Sequence, residues 1–138
     1  MARSEPVVVT WKQQGLLCEG VTAGGRVDLA SALDERGQGA TPMELLAVSL
    51  AGCTAMDVVT ILQKMREPVE GLSVEVSGEK ADEHPKRYTT LEIVYRLKGE
   101  LDRRKVERAI QLSEDKYCSV EATLRPGVRI SSRFVIER

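Results

Sequence analysis

Thr41-Pro42-Met43-Glu44-Leu45-Leu46-Ala47-Val48-Ser49-Leu50-Ala51-Gly52-Cys53-Thr54-Ala55-Met56 is the stretch on which the reading of the fold turns. Thr41 suits a helix N-cap and Pro42 the first helical position, where a missing N–H is harmless. Glu44 stands where it completes a capping box, so the spacing predicts a helix beginning at Pro42. From Leu45 to Met56 only Ser49, Gly52 and Thr54 interrupt apolar or small residues, and the helix reads as buried on most sides rather than amphipathic. The 12 residues between Glu44 and Asp57 fall short of the roughly 20 that cross a bilayer, which favours a central core helix over a membrane span. Val58, Val59, Ile61, Leu62 and Met65 extend the pattern until Glu67-Pro68, because the residue before proline is disfavoured in the helical region.

Upstream, Val7, Val8, Val9 and Trp11 form a β-rich run. Gln13-Gln14-Gly15 is a turn and Leu16 to Val21 a second run, together a hairpin. Ala23-Gly24-Gly25 marks another turn before the short strand Val27-Asp28-Leu29, and Leu33 to Ala40 is a polar loop. Downstream, Leu72, Val74 and Val76 alternate with polar residues, as do Thr89, Leu91, Ile93, Tyr95 and Leu97, which predicts a long hairpin across the charged turn Glu79 to Lys86. Asp102 caps a second helix whose inner face carries Val106, Ala109, Ile110 and Ser113. Val120 to Leu124 is a short apolar segment, and Val128, Ile130, Phe134 and Ile136 suggest a last strand with a bulge at Ser131-Ser132. Three strands, a long helix, two strands, a helix and a strand make an α+β chain, expected to be one domain over residues 1–138. A helix apolar nearly all round needs more cover than one small sheet supplies, so a homodimer is expected.

Composition narrows the function. Twenty basic against 21 acidic residues give a net charge of -1, and aromatics are only 4% of the chain. Neither a phosphate-attracting field nor a base-stacking platform is available, which argues against nucleic-acid and acidic-membrane partners. The N-terminal residues show no secretory h-region, so a cytoplasmic location is expected. The single His84 leaves a Cys/His pair or a histidine metal site little to work with. Gly24-Gly25 and Gly37-Gln38-Gly39 match no nucleotide-binding loop.

Three cysteines, an odd number widely spaced, do not make a disulfide framework. Cys18 reads as a core or pocket-wall residue. Cys53, deep in the helix, is either a small hydrophobe or a reactive thiol. It lies roughly 16 Å along the axis from Pro42, too far for the helix dipole to activate it, so activation needs an external cation. Arg26 and Arg36 are the nearest in sequence, and each taken alone reads rather as a solvated surface arginine. Asp57 shares the face of Cys53 and would raise its pKa unless a basic group partners it. Glu44 falls on the opposite side of a straight helix, where its capping role already accounts for it. Cys118 has fewer apolar neighbours and is the better candidate for an accessible thiol.

The segment Thr41 to Ala55 resembles the central-helix motif of the OsmC/Ohr family, and Lys116-Tyr117-Cys118-Ser119-Val120 resembles its second cysteine motif. With the order of elements, the resemblance covers nearly the whole chain. It implies an OsmC-like fold of antiparallel sheets around a long buried central helix, an intertwined homodimer with sites at the interface, and no metal or other cofactor. The implied activity is thiol peroxidase defence against oxidative stress, reducing organic hydroperoxides and, less well, hydrogen peroxide. Cys53 would attack the peroxide to become a sulfenic acid, Cys118 would resolve it to a disulfide, and an external dithiol would reduce the pair. Arg36, or else Arg26, from either subunit, would activate Cys53. The Ohr branch has a carboxylate at the place of Met43, and this chain offers Glu44 one position on. Leu46, Leu50 and Met56 are the implied walls for an alkyl chain. Gly52-Cys53-Thr54-Ala55 and Lys116-Tyr117-Cys118-Ser119 look closer to a less characterised branch. Two other functions fit the same residues: non-catalytic binding of an apolar small molecule, and a thiol redox sensor.

Overall fold

β1 (Val8–Trp11), β2 (Cys18–Thr22) and β3 (Gly25–Leu29) form an antiparallel meander within the first of two structural units, Met1–Leu46. The structure is a computed structural model and describes residues 1–34 and 38–138. The first turn depends on Gly15 at φ 55°. A Cβ there would run into the Asp34 carboxylate, whose Oδ2 accepts the Leu16 N–H at 2.9 Å. Trp11 Nε1 closes the same turn by donating to the Gly15 carbonyl at 2.8 Å.

α1 (Pro42–Lys64) starts as its spacing predicts. The Thr41 N–H donates to Glu44 Oε1 at 2.8 Å and the Glu44 N–H to Thr41 Oγ1 at 3.1 Å, a completed capping box. At its far end Arg66 is left-handed (φ 62°) and the Glu67 N–H donates to the Leu62 carbonyl at 3.0 Å, which closes the helix by a 6→1 bond. Most of α1 belongs to the second unit, Ala47–Arg138.

Within the single chain the burial of α1 is one-sided. Leu50, Thr54, Val58 and Leu62, four residues apart, have no exposed surface and form one buried stripe. Val48 and Met56 remain 60% and 73% exposed. A single chain therefore covers one side of a helix that is apolar on nearly all sides. By length and composition alone α1 suffices to cross a membrane. Its buried stripe, and a hydrogen bond from Ser113 to its central Asp57, are the features of a helix packed within a folded unit.

β4 (Gly71–Lys80) and β5 (Tyr88–Lys98) form the expected hairpin. Leu91, Ile93, Tyr95 and Leu97 alternate along β5 and are at most 1% exposed, so one face of the central strand is fully inside. β6 (Arg129–Glu137) joins β5 in parallel, whereas the other three pairings are antiparallel. A parallel partner requires a crossover. Here it is α2 (Arg103–Leu112), a π-helical turn (Ser113–Tyr117) and α3 (Ser119–Leu124). Asp102 caps α2 through the Arg104 N–H at 2.9 Å, and Val106, Ala109 and Ile110 are buried. The β5/β6 register is continuous, so Ser131-Ser132 make no bulge. The irregular position is Glu79/Lys80 in β4. The serines blur the alternation because β6 is an edge strand on which both of them are exposed.

Truncating Leu62 to Ala is expected to destabilise the protein by about 2–5 kcal/mol through lost burial and a cavity. The exposed Gln63→Ala should stay within about 0.5 kcal/mol of wild type. Urea unfolding of the two variants checks the difference.

Candidate active site

Cys53 and Asp57 lie one helical turn apart in α1, and both are half-buried, on the flank of the stripe through Leu50 and Thr54. The second thiol arrives from the crossover. The Cys118 N–H donates to the Ser113 carbonyl at 2.7 Å, an i→i−5 bond that closes the π-helical turn. Cys118 then acts as N-cap of α3, its Sγ accepting the Glu121 N–H at 3.3 Å, and it is only 3% exposed. The Sγ atoms of Cys53 and Cys118 and a carboxylate oxygen of Asp57 all lie within 4.8 Å of one another. Both cysteines are free thiols. Asp57 is held from the crossover side by Ser113, whose Oγ donates to Oδ2 at 3.0 Å.

A set of carboxyl and phenol groups lies behind the thiols. The buried Tyr95 hydroxyl donates to Glu114 Oε2 at 2.7 Å, with the Thr54 hydroxyl against it, while Ser132 Oγ donates to Glu114 Oε1 at 3.1 Å. Glu121, with only 3% of its surface exposed, pairs through Oε1 with Arg125 at 3.4 Å. Its Oε2 is buried without a hydrogen-bond partner among the described residues.

Burial and like charge set the protonation of this set. Burial pushes the Cys118 thiol up to about 12. The Glu121 N–H bond pulls it back, while the Cys53 hydrogen bond, the Cys53 charge and the Glu121 charge add to the rise. Burial, then the charge of Glu114, raise the Glu121 carboxyl against the opposing pull of Arg125. Tyr95 is held neutral by burial and by its bond to Glu114. Since only the thiolate reacts, alkylation of Cys118 in the reduced protein is expected to be slow at neutral pH. It should then rise about tenfold per pH unit until near 12. Cysteine-resolved mass spectrometry across pH checks this.

The structure thus brings Cys53 and Cys118 together and adds Asp57. Among the described residues Asp57 makes no ion pair with the basic partner that the sequence asks of it, and its hydrogen bond comes from the hydroxyl of Ser113. Glu44 is engaged in the capping box. Arg36 lies outside the described residues. Arg26, with its side chain 71% exposed, pairs with Glu19 at 3.2 Å. Leu50 is wholly enclosed, while Leu46 and Met56 are 39% and 73% exposed. Cys18 donates to the Leu16 carbonyl at 3.5 Å. Tyr95, Glu114, Glu121 and Arg125 are additions that the sequence reading lacks. The one available signal was Glu121 at the third residue past Cys118, the place whose N–H an N-cap side chain receives.

Two thiols facing each other across an α+β unit define a class of cysteine-bearing proteins, and the comparisons identify it. The family model described as OsmC-like protein matches residues 35–133, and the chain belongs to that family. Protein YhfA of Escherichia coli K12 is 36% identical over 97 residues, covering 70% of this chain and 72% of YhfA. A crystal structure of a hypothetical protein from Aquifex aeolicus VF5 superposes with a TM-score of 0.83 at 31% identity over the whole of both chains. The organic hydroperoxide resistance protein OhrB of Bacillus subtilis shares the fold, with a TM-score of 0.66 at 17% identity over 94% of this chain and 96% of its own.

Proposed function

We propose that this protein is a thiol-dependent peroxidase that reduces organic hydroperoxides, and hydrogen peroxide less well, in defence against oxidative stress. The observation that carries the reading is the approach of the Cys53 and Cys118 sulfurs to within 4.8 Å, although the two residues stand 65 positions apart in the chain. Membership of the OsmC-like family and the shared fold with a hydroperoxide resistance protein support it.

The Cys53 thiolate attacks the peroxide O–O bond. An S–O bond forms, the O–O bond breaks, and the alkoxide leaves as an alcohol after taking a proton. Cys118 then attacks the sulfenic sulfur. An S–S bond forms, and the departing hydroxide leaves as water with the proton that Cys118 gives up. Cys118 is held strongly protonated, so its proton needs an acceptor close by. Asp57 is the carboxylate within reach of both sulfurs, and it takes the proton from one and returns it at the other. An external dithiol supplies the two electrons that restore the thiols.

The working form we propose is a cytoplasmic homodimer of single-domain chains. The uncovered apolar side chains of α1, Val48 and Met56, support a second copy as their cover. Arg36 or Arg26 serves as the activating cation, from either subunit, with Glu44 as its carboxylate partner, and Leu46 and Met56, but not the enclosed Leu50, form the alkyl-accepting wall.

Consumption of cumene or tert-butyl hydroperoxide with a dithiol reductant tests the reading. Wild type is expected to turn over many times, Cys53→Ser not at all, and Cys118→Ser at most once without another resolving thiol. Multiple turnover retained in Cys53→Ser would sink it. Asp57→Asn is expected to slow disulfide formation by about 10²–10⁴-fold at neutral pH. Because hydroxide can replace the lost base, the deficit should shrink as pH rises, and stopped-flow thiol loss reads it.

A further inference from the structure

Cys53, Asp57 and Cys118 present two sulfurs and a carboxylate oxygen to one point, and this set is a metal-ligand set as well as a redox pair. We propose that the reduced protein binds one zinc-class divalent cation through Cys53 Sγ, Cys118 Sγ and a carboxylate oxygen of Asp57, with solvent in the fourth position. Four-coordinate zinc, with sulfur about 2.3 Å and oxygen about 2.0–2.2 Å from the ion, places its ligand atoms about 3.5–3.8 Å apart. The three atoms here already lie within 4.8 Å of one another, so closure onto an ion takes shifts of about 1 Å, within the reach of side-chain rotation.

The donor chemistry selects the ion. Two thiolates favour zinc and softer ions over magnesium or calcium, which take six or more oxygen ligands. The surroundings are those of a supported site. Ser113 Oγ–H holds the Asp57 carboxylate through Oδ2, and the Glu121 N–H holds Cys118 Sγ. Asp57 has no ion pair among the described residues. A bound cation would be its counter-ion. Half-buried Cys53 and Asp57 leave the site an entry side.

Binding displaces one proton from each thiol to solvent, two per ion, without oxidising sulfur. The same two sulfurs cannot then form a disulfide, so zinc and the disulfide exclude each other. The ion would hold the thiol pair in reserve, and an oxidant that takes the pair to a disulfide would release it.

The test uses the full-length protein, freed of metal with a chelator, reduced with a phosphine under argon and titrated with Co2+ and then Zn2+. The expected result is a thiolate-to-cobalt charge-transfer band with strong tetrahedral d–d absorption, saturating at one ion per chain and abolished by Zn2+. Cys53→Ser and Cys118→Ser should each lose about half of the charge-transfer intensity. Asp57→Asn should keep the band but weaken Zn2+ binding by more than about tenfold, since removing an outer-shell partner alone costs about 10–100-fold. Wild type oxidised to the Cys53–Cys118 disulfide should bind no ion, a control that does not depend on any variant folding. No charge-transfer band in reduced wild type, an unchanged band in either cysteine variant, unaltered affinity in Asp57→Asn, or equal binding by the oxidised protein would each overturn the site. Metal binding and peroxide turnover are read separately, so either can fail while the other stands.

Discussion

β6 runs parallel to β5, and a parallel pairing cannot be closed by a tight turn. The chain must leave the end of β5, cross the sheet and come back to its start, and everything between Gly99 and Val128 is that return journey. The crossover lies on the same side of β5 as α1, because the Tyr95 hydroxyl reaches both Thr54 of α1 and Glu114 of the π-helical turn. The Ser113 bond to Asp57 fastens the crossover to α1 at the level of Cys53. A π-helical turn inserts one extra residue into the helical path, so Cys118 leaves the helix as an extended N-cap rather than continuing on its surface. The meeting of the two thiols is thus a consequence of sheet topology.

Gathering acids around thiols has an electrostatic price. Burial and mutual repulsion raise Cys118 and Glu121 and hold Tyr95 neutral. An arrangement of this kind keeps the Cys118 thiol protonated at neutral pH. It also explains why a carboxylate one turn from Cys53, unhelpful to a thiolate nucleophile, belongs here. In the proposed peroxidase Asp57 is the proton acceptor of the resolving step, and in the proposed cation site it is the oxygen ligand.

The long helix was the most legible part of the chain. Thr41, Pro42 and Glu44 announce its start by capping chemistry that is local, and the observed hydrogen bonds are the ones those residues dictate. The β4–β5 hairpin was legible for the same reason, since alternation along Leu72 to Val76 and Thr89 to Leu97 is a local code for a half-buried strand. What the sequence left open was which side of α1 its own chain covers. An apolar side chain reports a preference for leaving water, and whether its own chain provides the cover depends on contacts made elsewhere. Val48 and Met56 carry that preference and remain exposed.

The amino-acid sequence by itself determined the element types, the α+β class, the family resemblance and the two thiols worth naming, because propensity, capping and motif act over a few residues. Tertiary structure alone decided that β6 pairs in parallel, that Ser113 donates to Asp57, and that among the described residues the buried Glu121 has an unpartnered oxygen near Cys118. Those facts join residues tens of positions apart. Their physical cause is the packing of the crossover against α1 and β5, and no window of sequence contains both sides of that contact.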